Sequence, residues 1–81
     1  MEFVIVDHPE RRVVYVDDKR QGYNRTENGR YIIKRTSKGI HTFRLGGADD
    51  YKPKTRTVDV KDTTVVKPKR MMFTPKDDAT G

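Results

Sequence analysis

The apolar residues of this chain come in short runs, and each run ends at a turn. Val13–Val16 is the clearest example: it is β-branched and aromatic throughout, Pro9-Glu10 precedes it and Asp17-Asp18 follows it. β-Branched and aromatic side chains pack well on a pleated surface. The sequence therefore predicts a small all-β domain.

The composition agrees with this prediction. Leucine occurs once and alanine twice, whereas valine and threonine occur nine times each. Cysteine is absent, so neither a disulfide framework nor a thiolate zinc site can form. With 81 residues the chain makes one domain.

Turn signals divide the chain into six or seven short strands. We expect strands at residues 3–6, 12–17, 31–36, 40–45, 55–61 and 65–73, the last interrupted by Pro68, and irregular structure at 17–28. Ser37-Lys38-Gly39 is predicted to close a three-residue hairpin, with Gly39 in the left-handed conformation. Such spacing is typical of a β-sandwich, here over residues 1–73, and the polar residues 74–81 are predicted to be a disordered tail. The expected core consists of Val14, Val16, Ile33, Phe43, Val58, Val60 and Met71.

Several short motifs occur in the order and spacing of a known family. They are Pro9-Glu10, Val14-Tyr15-Val16-Asp17, Gly22, Gly39-Ile40-His41, Tyr51 and Val58-Asp59-Val60. Over residues 3–73 the chain resembles PEGA domains, small bacterial and archaeal β-modules named for a Pro-Glu-Gly-Ala motif. Arg11 and Arg12 replace the Gly-Ala of that motif.

The resemblance implies a small antiparallel, immunoglobulin-like β-sandwich without catalytic residues. It further implies a binding, scaffold or spacer module that contacts a protein or an envelope polymer, with no cofactor. It does not identify a ligand.

The positive charge suggests a second function. The net charge is +6, and residues 19–44 hold eight basic residues against Glu27 alone. Tyr23, Tyr31 and Phe43 interleave with them, and arginines beside aromatic rings can bind nucleic acid. The alternative is therefore a small basic β-barrel that binds nucleic acid. A third hypothesis keeps the sandwich and gives it an acidic glycan or an anionic envelope polymer as its ligand. The expected contact residues are Arg20, Arg25, Arg30, Lys34, Arg35, Lys38 and Arg44.

Catalytic and metal-binding patterns are weak. His41 is the only histidine in a predicted strand, and no second histidine or clustered carboxylate accompanies it. The pairs Asp17-Asp18 and Asp49-Asp50 lack EF-hand spacing and could share a calcium ion only if the fold brought their loops together. We therefore predict a non-enzymatic protein without a metal site.

The sequence also bears on location. Residues 3–6 form an apolar run too short for a signal peptide or a membrane span, and acidic residues flank it. We expect a cytoplasmic protein without membrane insertion, or a cell-envelope domain if the chain is part of a longer protein.

Overall fold

The computed structural model describes residues 1–76, and these residues form nine short β-strands without a helix. The strands are β1 (Glu2–Asp7), β2 (Val13–Val16), β3 (Lys19–Tyr23), β4 (Lys34–Thr36), β5 (Gly39–Leu45), β6 (Tyr51–Lys52), β7 (Arg56–Val60), β8 (Lys69–Met72) and β9 (Thr74–Pro75). The predicted all-β class is confirmed, with nine strands in place of the expected six or seven.

Two sheets pack face to face as a sandwich. One has the strand order β4-β1-β8 and the other β3-β2-β5-β7, while β6 and β9 form a small third sheet. The four-stranded sheet is antiparallel throughout. The three-stranded sheet is mixed, because β1 pairs antiparallel with β4 and parallel with β8. The expected fully antiparallel arrangement is therefore wrong at the β1–β8 pair.

The core lies between the two sheets. Val4 and Val6 of β1 face Val14 and Val16 of β2, as the two-residue period of a strand dictates. The remaining buried apolar side chains are Phe43, Leu45, Tyr51, Val60, Met71 and Phe73, with Val58 packed against them. Ile33 does not belong to this core: it is 40% exposed. Ile33 lies just before β4 and shares the face of Arg35, two residues further on. Arg35 is in register with Phe3, which lies on the opposite face of β1 from buried Val4.

The predicted hairpin at Ser37-Lys38-Gly39 is wrong. β4 and β5 lie in different sheets, so this segment is a corner that carries the chain from one sheet to the other. Gly39 does have a positive φ of 129°. A corner and a hairpin both use that glycine conformation, so the residue alone does not distinguish them.

The segment expected to be irregular contains a strand. β3 pairs with β2 through the turn Asp17-Asp18, where both residues have positive φ, 52° and 65°. Two successive residues of positive φ form the type I′ turn that suits a tight hairpin. β3 is polar, with no apolar alternation, which is why the pattern did not predict it.

The C-terminal part of the chain also differs from expectation. Val65 and Val66 are exposed and precede β8 rather than joining it. Thr74 and Pro75 form β9 against β6, so the tail expected from residue 74 begins with an ordered strand. The rest of that predicted tail, residues 77–81, lies outside the described residues.

Tyr51 closes the end of the sandwich. Its buried hydroxyl donates to the carbonyl of Leu45 at 2.9 Å and accepts from the amide of the same residue at 3.1 Å. The last pair in register between β5 and β7 is Phe43 with Arg56, and Leu45 lies two residues beyond it. The hydroxyl thus replaces a strand partner, much as the tyrosine corner of immunoglobulin-type sandwiches does.

Candidate binding surface

The fold divides the basic block of residues 19–44 into groups with different surroundings. All three guanidinium nitrogens of Arg25 are hydrogen-bonded within the protein. Its Nε donates to the carbonyl of His8 at 2.8 Å, Nη1 to that of Gly29 at 2.9 Å and Nη2 to the hydroxyl of Tyr31 at 2.5 Å. Lys34 is also engaged, because its Nζ donates to the carbonyl of Gln21 at 2.6 Å and burial lowers its pKa. Neither side chain is available to a ligand.

Tyr31 and Asp7 complete the cluster around Arg25. Asp7 accepts hydrogen bonds from the Tyr31 hydroxyl and from Nη1 of Arg70, the latter at 2.7 Å. Desolvation raises the pKa of Asp7, but these two hydrogen bonds outweigh it and hold the pKa below its ordinary value. Desolvation and the hydrogen bond to Asp7 raise the pKa of Tyr31. The cluster joins β1, β8 and the loop before β4, and its groups satisfy one another.

Three further basic residues are exposed but scattered. Arg30 follows the turn at Gly29, Lys38 lies in the corner between β4 and β5, and Arg35 is on the outer side of the three-stranded sheet. The predicted contact set is therefore not one surface.

Arg20 and Arg44, by contrast, lie in one row with an aromatic ring between them. Tyr15 of β2 is in register with Arg20 of β3 on one side and with Arg44 of β5 on the other. Directly opposed residues share a face of the sheet, and Tyr15 alternates with buried Val14 and Val16. The row therefore lies on the outer face of the four-stranded sheet, away from the core.

The same face carries a second ring beside this row. Tyr23 of β3 is in register with Val13, and the guanidinium carbon of Arg11 lies 3.8 Å from the centre of its ring. The guanidinium of Arg20 lies 5.8 Å from that ring. We call this surface, made of Arg11, Tyr15, Arg20, Tyr23 and Arg44, the Arg–Tyr face.

Gly46 shapes one side of the Arg–Tyr face. A Cβ at this position would lie 3.0 Å from the Tyr15 ring and 3.3 Å from Cβ of Val13. The missing side chain leaves space for the Tyr15 ring, and the guanidinium of Arg44 lies 4.0 Å above that ring. Gly46, Tyr15 and Arg44 thus form a stack with a guanidinium plane at its outer end.

The arginines of the Arg–Tyr face keep most of their donors. Nε of Arg11 donates to the carbonyl of Arg25 at 3.1 Å, and Nε of Arg44 contacts Asp18 at 3.2 Å. Within residues 1–76 the terminal nitrogens of Arg11, Arg20 and Arg44 have no protein partner. A guanidinium already held over a ring loses less rotamer entropy when it binds an anion than a free side chain does. The arrangement is suited to holding phosphate, sulfate or carboxylate groups.

His41 takes part in an arrangement that has the residue types of a catalytic triad. Its Nδ1 lies 2.6 Å from Oδ2 of Asp17 and its Nε2 lies 3.2 Å from Oγ of Ser37. However, Nε2 is closer to the carbonyl oxygen of Ser37, at 2.8 Å, and a carbonyl only accepts. Nε2 therefore carries a proton and cannot remove one from the Ser37 hydroxyl. In this geometry His41 is a doubly donating imidazolium that fixes the corner between β4 and β5.

The Asp17–His41 pair is expected to make stability depend on pH. The hydrogen bond to Asp17 raises the pKa of His41, so its stabilisation is complete below about pH 6.5 and is lost as pH rises through the folded pKa. The hydrogen bond from His41 lowers the pKa of Asp17, so that stabilisation is present above about pH 4 and is lost on further acidification. The pair thus stabilises the fold most between these limits.

The test compares thermal unfolding of the protein with that of Asp17→Asn, which keeps an oxygen for the amide of Thr42. We expect the variant to be less stable by about 1 kcal/mol near pH 5.5, a small value because Asp17 is half-exposed. Near pH 9 the gap should be smaller, because His41 loses its charge as the pH rises through its folded pKa. A gap of equal size at both pH values would contradict the assignment.

The aspartate pairs do not come together. Asp17-Asp18 follows β2, while Asp50 is held at 2.8 Å by Nη1 of Arg12, just before β2. The two pairs therefore lie at opposite ends of this strand, which removes the shared calcium site that the sequence left open. The hydrogen bond from Arg12 lowers the pKa of Asp50.

A shallow cleft of about 520 Å³ lies near Asp50. It is lined by Pro9, Glu10, Asp49, Asp50, Pro75 and Lys76. Its carboxylates already have partners, because Arg12 approaches Glu10 and Asp50 and Lys76 lies 3.7 Å from Asp49. The cleft therefore offers less to a ligand than the Arg–Tyr face.

Of the seven predicted contact residues, the structure thus places two, Arg20 and Arg44, on the Arg–Tyr face. Arg11 and Tyr15 belong to this face but lie outside the basic block. For Tyr15 the alternation with buried Val14 and Val16 was a usable signal, whereas Arg11 lies before the strand and had none. The described residues contain no helix long and apolar enough to cross a membrane. Comparison with protein-family models, curated proteins and solved structures finds no match to this chain.

Proposed function

We propose that this protein is a non-catalytic β-sandwich module that binds an anionic polymer through the Arg–Tyr face. One observation carries the proposal: Arg11, Arg20 and Arg44 lie beside two tyrosine rings on one open sheet face, with their terminal nitrogens unpaired within the described residues. The chain's resemblance to PEGA domains, which lack catalytic residues, agrees with a binding role.

The contrast with other arginines of the chain supports this choice of surface. Arg12 and Arg25 use all three guanidinium nitrogens within the protein. A folded domain gains little from guanidinium groups that lie on half-buried surface rings, because cation–π pairs near the surface contribute only about 0.5–1 kcal/mol. The terminal nitrogens of arginines held in this way can donate hydrogen bonds to an anion.

The test compares two triple variants that remove the same charge. Arg11→Gln/Arg20→Gln/Arg44→Gln removes the Arg–Tyr face, and Arg30→Gln/Arg35→Gln/Lys38→Gln removes three exposed charges elsewhere. We expect the first to weaken binding to heparin and to inorganic polyphosphate about tenfold at low salt, and the second about twofold. Isothermal titration calorimetry would measure both.

Equal weakening in the two variants would contradict the proposal. It would mean that the net charge of +6 attracts polyanions without a defined surface. Circular dichroism of both variants serves as the folding control, and all six substituted side chains lie outside the core.

A further inference from the structure

We infer that the polymer bound by the Arg–Tyr face is single-stranded nucleic acid, whose bases stack on the outer sides of the guanidinium–tyrosine pairs while the arginine nitrogens bind phosphates. This inference rests on the proposed function and names the ligand of the same surface.

The Arg–Tyr face offers stacking planes as well as charge. The guanidinium of Arg44 lies over Tyr15, and that of Arg11 lies over Tyr23 at 3.8 Å. Bases stack on aromatic rings and on arginine planes without regard to sequence, because every base has a π-face. A sulfated glycan or polyphosphate uses the charges of such a surface but has no π-face to stack. The rings therefore favour nucleic acid among anionic polymers.

The spacing of the two rings favours a single strand over a duplex. Tyr15 is opposed by Arg20 and Tyr23 is opposed by Val13, and the register shifts between these two pairs. Val13 and Tyr15 are two residues apart on β2, which corresponds to about 6–7 Å along a strand. Bases stacked in a duplex are about 3.4 Å apart and turned inward. Two successive bases can occupy both planes only when the strand is unstacked and extended.

The other side chains of the face suit a backbone that crosses it. Thr42 and Thr57 are opposed on β5 and β7, and their hydroxyls lie 3.0 Å apart next to Arg44. Hydroxyls and arginines are common donors to phosphate and sugar oxygens. These two hydroxyls thus lie beside Arg44 on the outer face of the sheet, before the row that holds Ile40 and Asp59.

Asp18 limits binding in the free protein. Its side chain is 87% exposed, and its carboxylate lies 3.2 Å from Nε of Arg44. A carboxylate at this position repels a phosphate that approaches Arg44. The φ of Asp18 is 65°, a conformation that asparagine tolerates. Asp18→Asn therefore removes the repulsion without disturbing the turn, and we expect it to bind single strands about threefold more tightly. A gain of affinity cannot result from a folding defect.

The decisive experiment compares an oligothymidylate of about 12 nucleotides with an abasic sugar-phosphate strand of equal length and a DNA duplex. The protein has four tyrosines and no tryptophan, so its intrinsic fluorescence comes from tyrosine, and loss of quenching in Tyr23→Leu would assign the quenching to the Arg–Tyr face. We expect the oligothymidylate to bind at least tenfold more tightly than the abasic strand. Tyr23→Leu, which keeps an apolar side chain over Val13, should remove most of this difference.

The outcomes separate this inference from the proposed function. Equal binding of abasic strand and oligothymidylate, weakened in both cases by loss of Arg11, Arg20 and Arg44, would overturn the nucleic-acid inference and leave polyanion binding intact. Tighter binding of the duplex would also overturn it. Absence of binding to all polyanions would overturn both.

Discussion

Replacing Asn24 with alanine is expected to lower the melting temperature by about 15 °C, although the residue carries no charge and lies outside every strand. Asn24 is fully buried. Its Oδ1 accepts from the amide of Arg12 at 2.7 Å, and its Nδ2 donates to the carbonyl of Glu10 at 3.1 Å. Alanine leaves both backbone groups without a partner, at a cost of about 1–3 kcal/mol each. A loss of about 3 kcal/mol corresponds to the shift expected for a domain of this size.

Asn28 provides the matched control, because it is the only other asparagine of the chain and is exposed. Asn28→Ala should change the stability by no more than about 0.5 kcal/mol. Thermal unfolding followed by far-ultraviolet circular dichroism would measure both variants. Similar melting temperatures for the two would show that the hydrogen bonds of Asn24 do not support the entry into β2.

The sequence predicted the strands whose apolar residues alternate. β2 and β5 were identified because Val14, Val16, Phe43 and Leu45 follow the two-residue period of a half-buried strand. β3 has no such period: its residues pair through the backbone and are mostly exposed, so only the turn at Asp17-Asp18 marks it. Asn24 comes directly after β3. Because the sequence pattern did not predict this strand, it did not predict the structural role of the asparagine at its end either.

The candidate surface was only partly predictable for a different reason. The net charge and the number of basic residues in a segment show where arginines occur along the chain. They do not show which of these arginines form hydrogen bonds within the fold. Arg25 was expected to contact a ligand and instead binds three groups within the protein. Arg11 was noted only as a departure from a motif, yet it stacks on Tyr23 across the β2–β3 pair. Long-range neighbours of this kind depend on strand register, which the sequence pattern did not fix for β3.

Arg12→Met is expected to lower the melting temperature by about 10 °C, the second large effect. Arg12 holds the loop after β5: Nε and Nη2 donate to the carbonyl of Gly46, Nη2 also to that of Ala48, and Nη1 to Asp50. Its side chain is 11% exposed. Methionine keeps much of the stem but no donor, so these acceptors lose a charged partner, at a cost of about 2 kcal/mol in all. Gly47 is adapted to this contact, since its φ is 86° and a Cβ there would lie 3.2 Å from Nη2.

Arg11→Met is the control, and the two neighbouring arginines should give opposite results. Arg11 is exposed and its side chain makes one hydrogen bond within residues 1–76, so its loss should change stability by about 0.5 kcal/mol or less while weakening polyanion binding. The Arg12→Met variant should unfold at a lower temperature. At a temperature where it is folded, it should bind polyanions about as well as the unaltered protein. Melting curves and titration calorimetry on the two variants would show this separation. If Arg12→Met lost binding and Arg11→Met did not, the ligand surface would lie at the loop of residues 46–50 and not on the Arg–Tyr face.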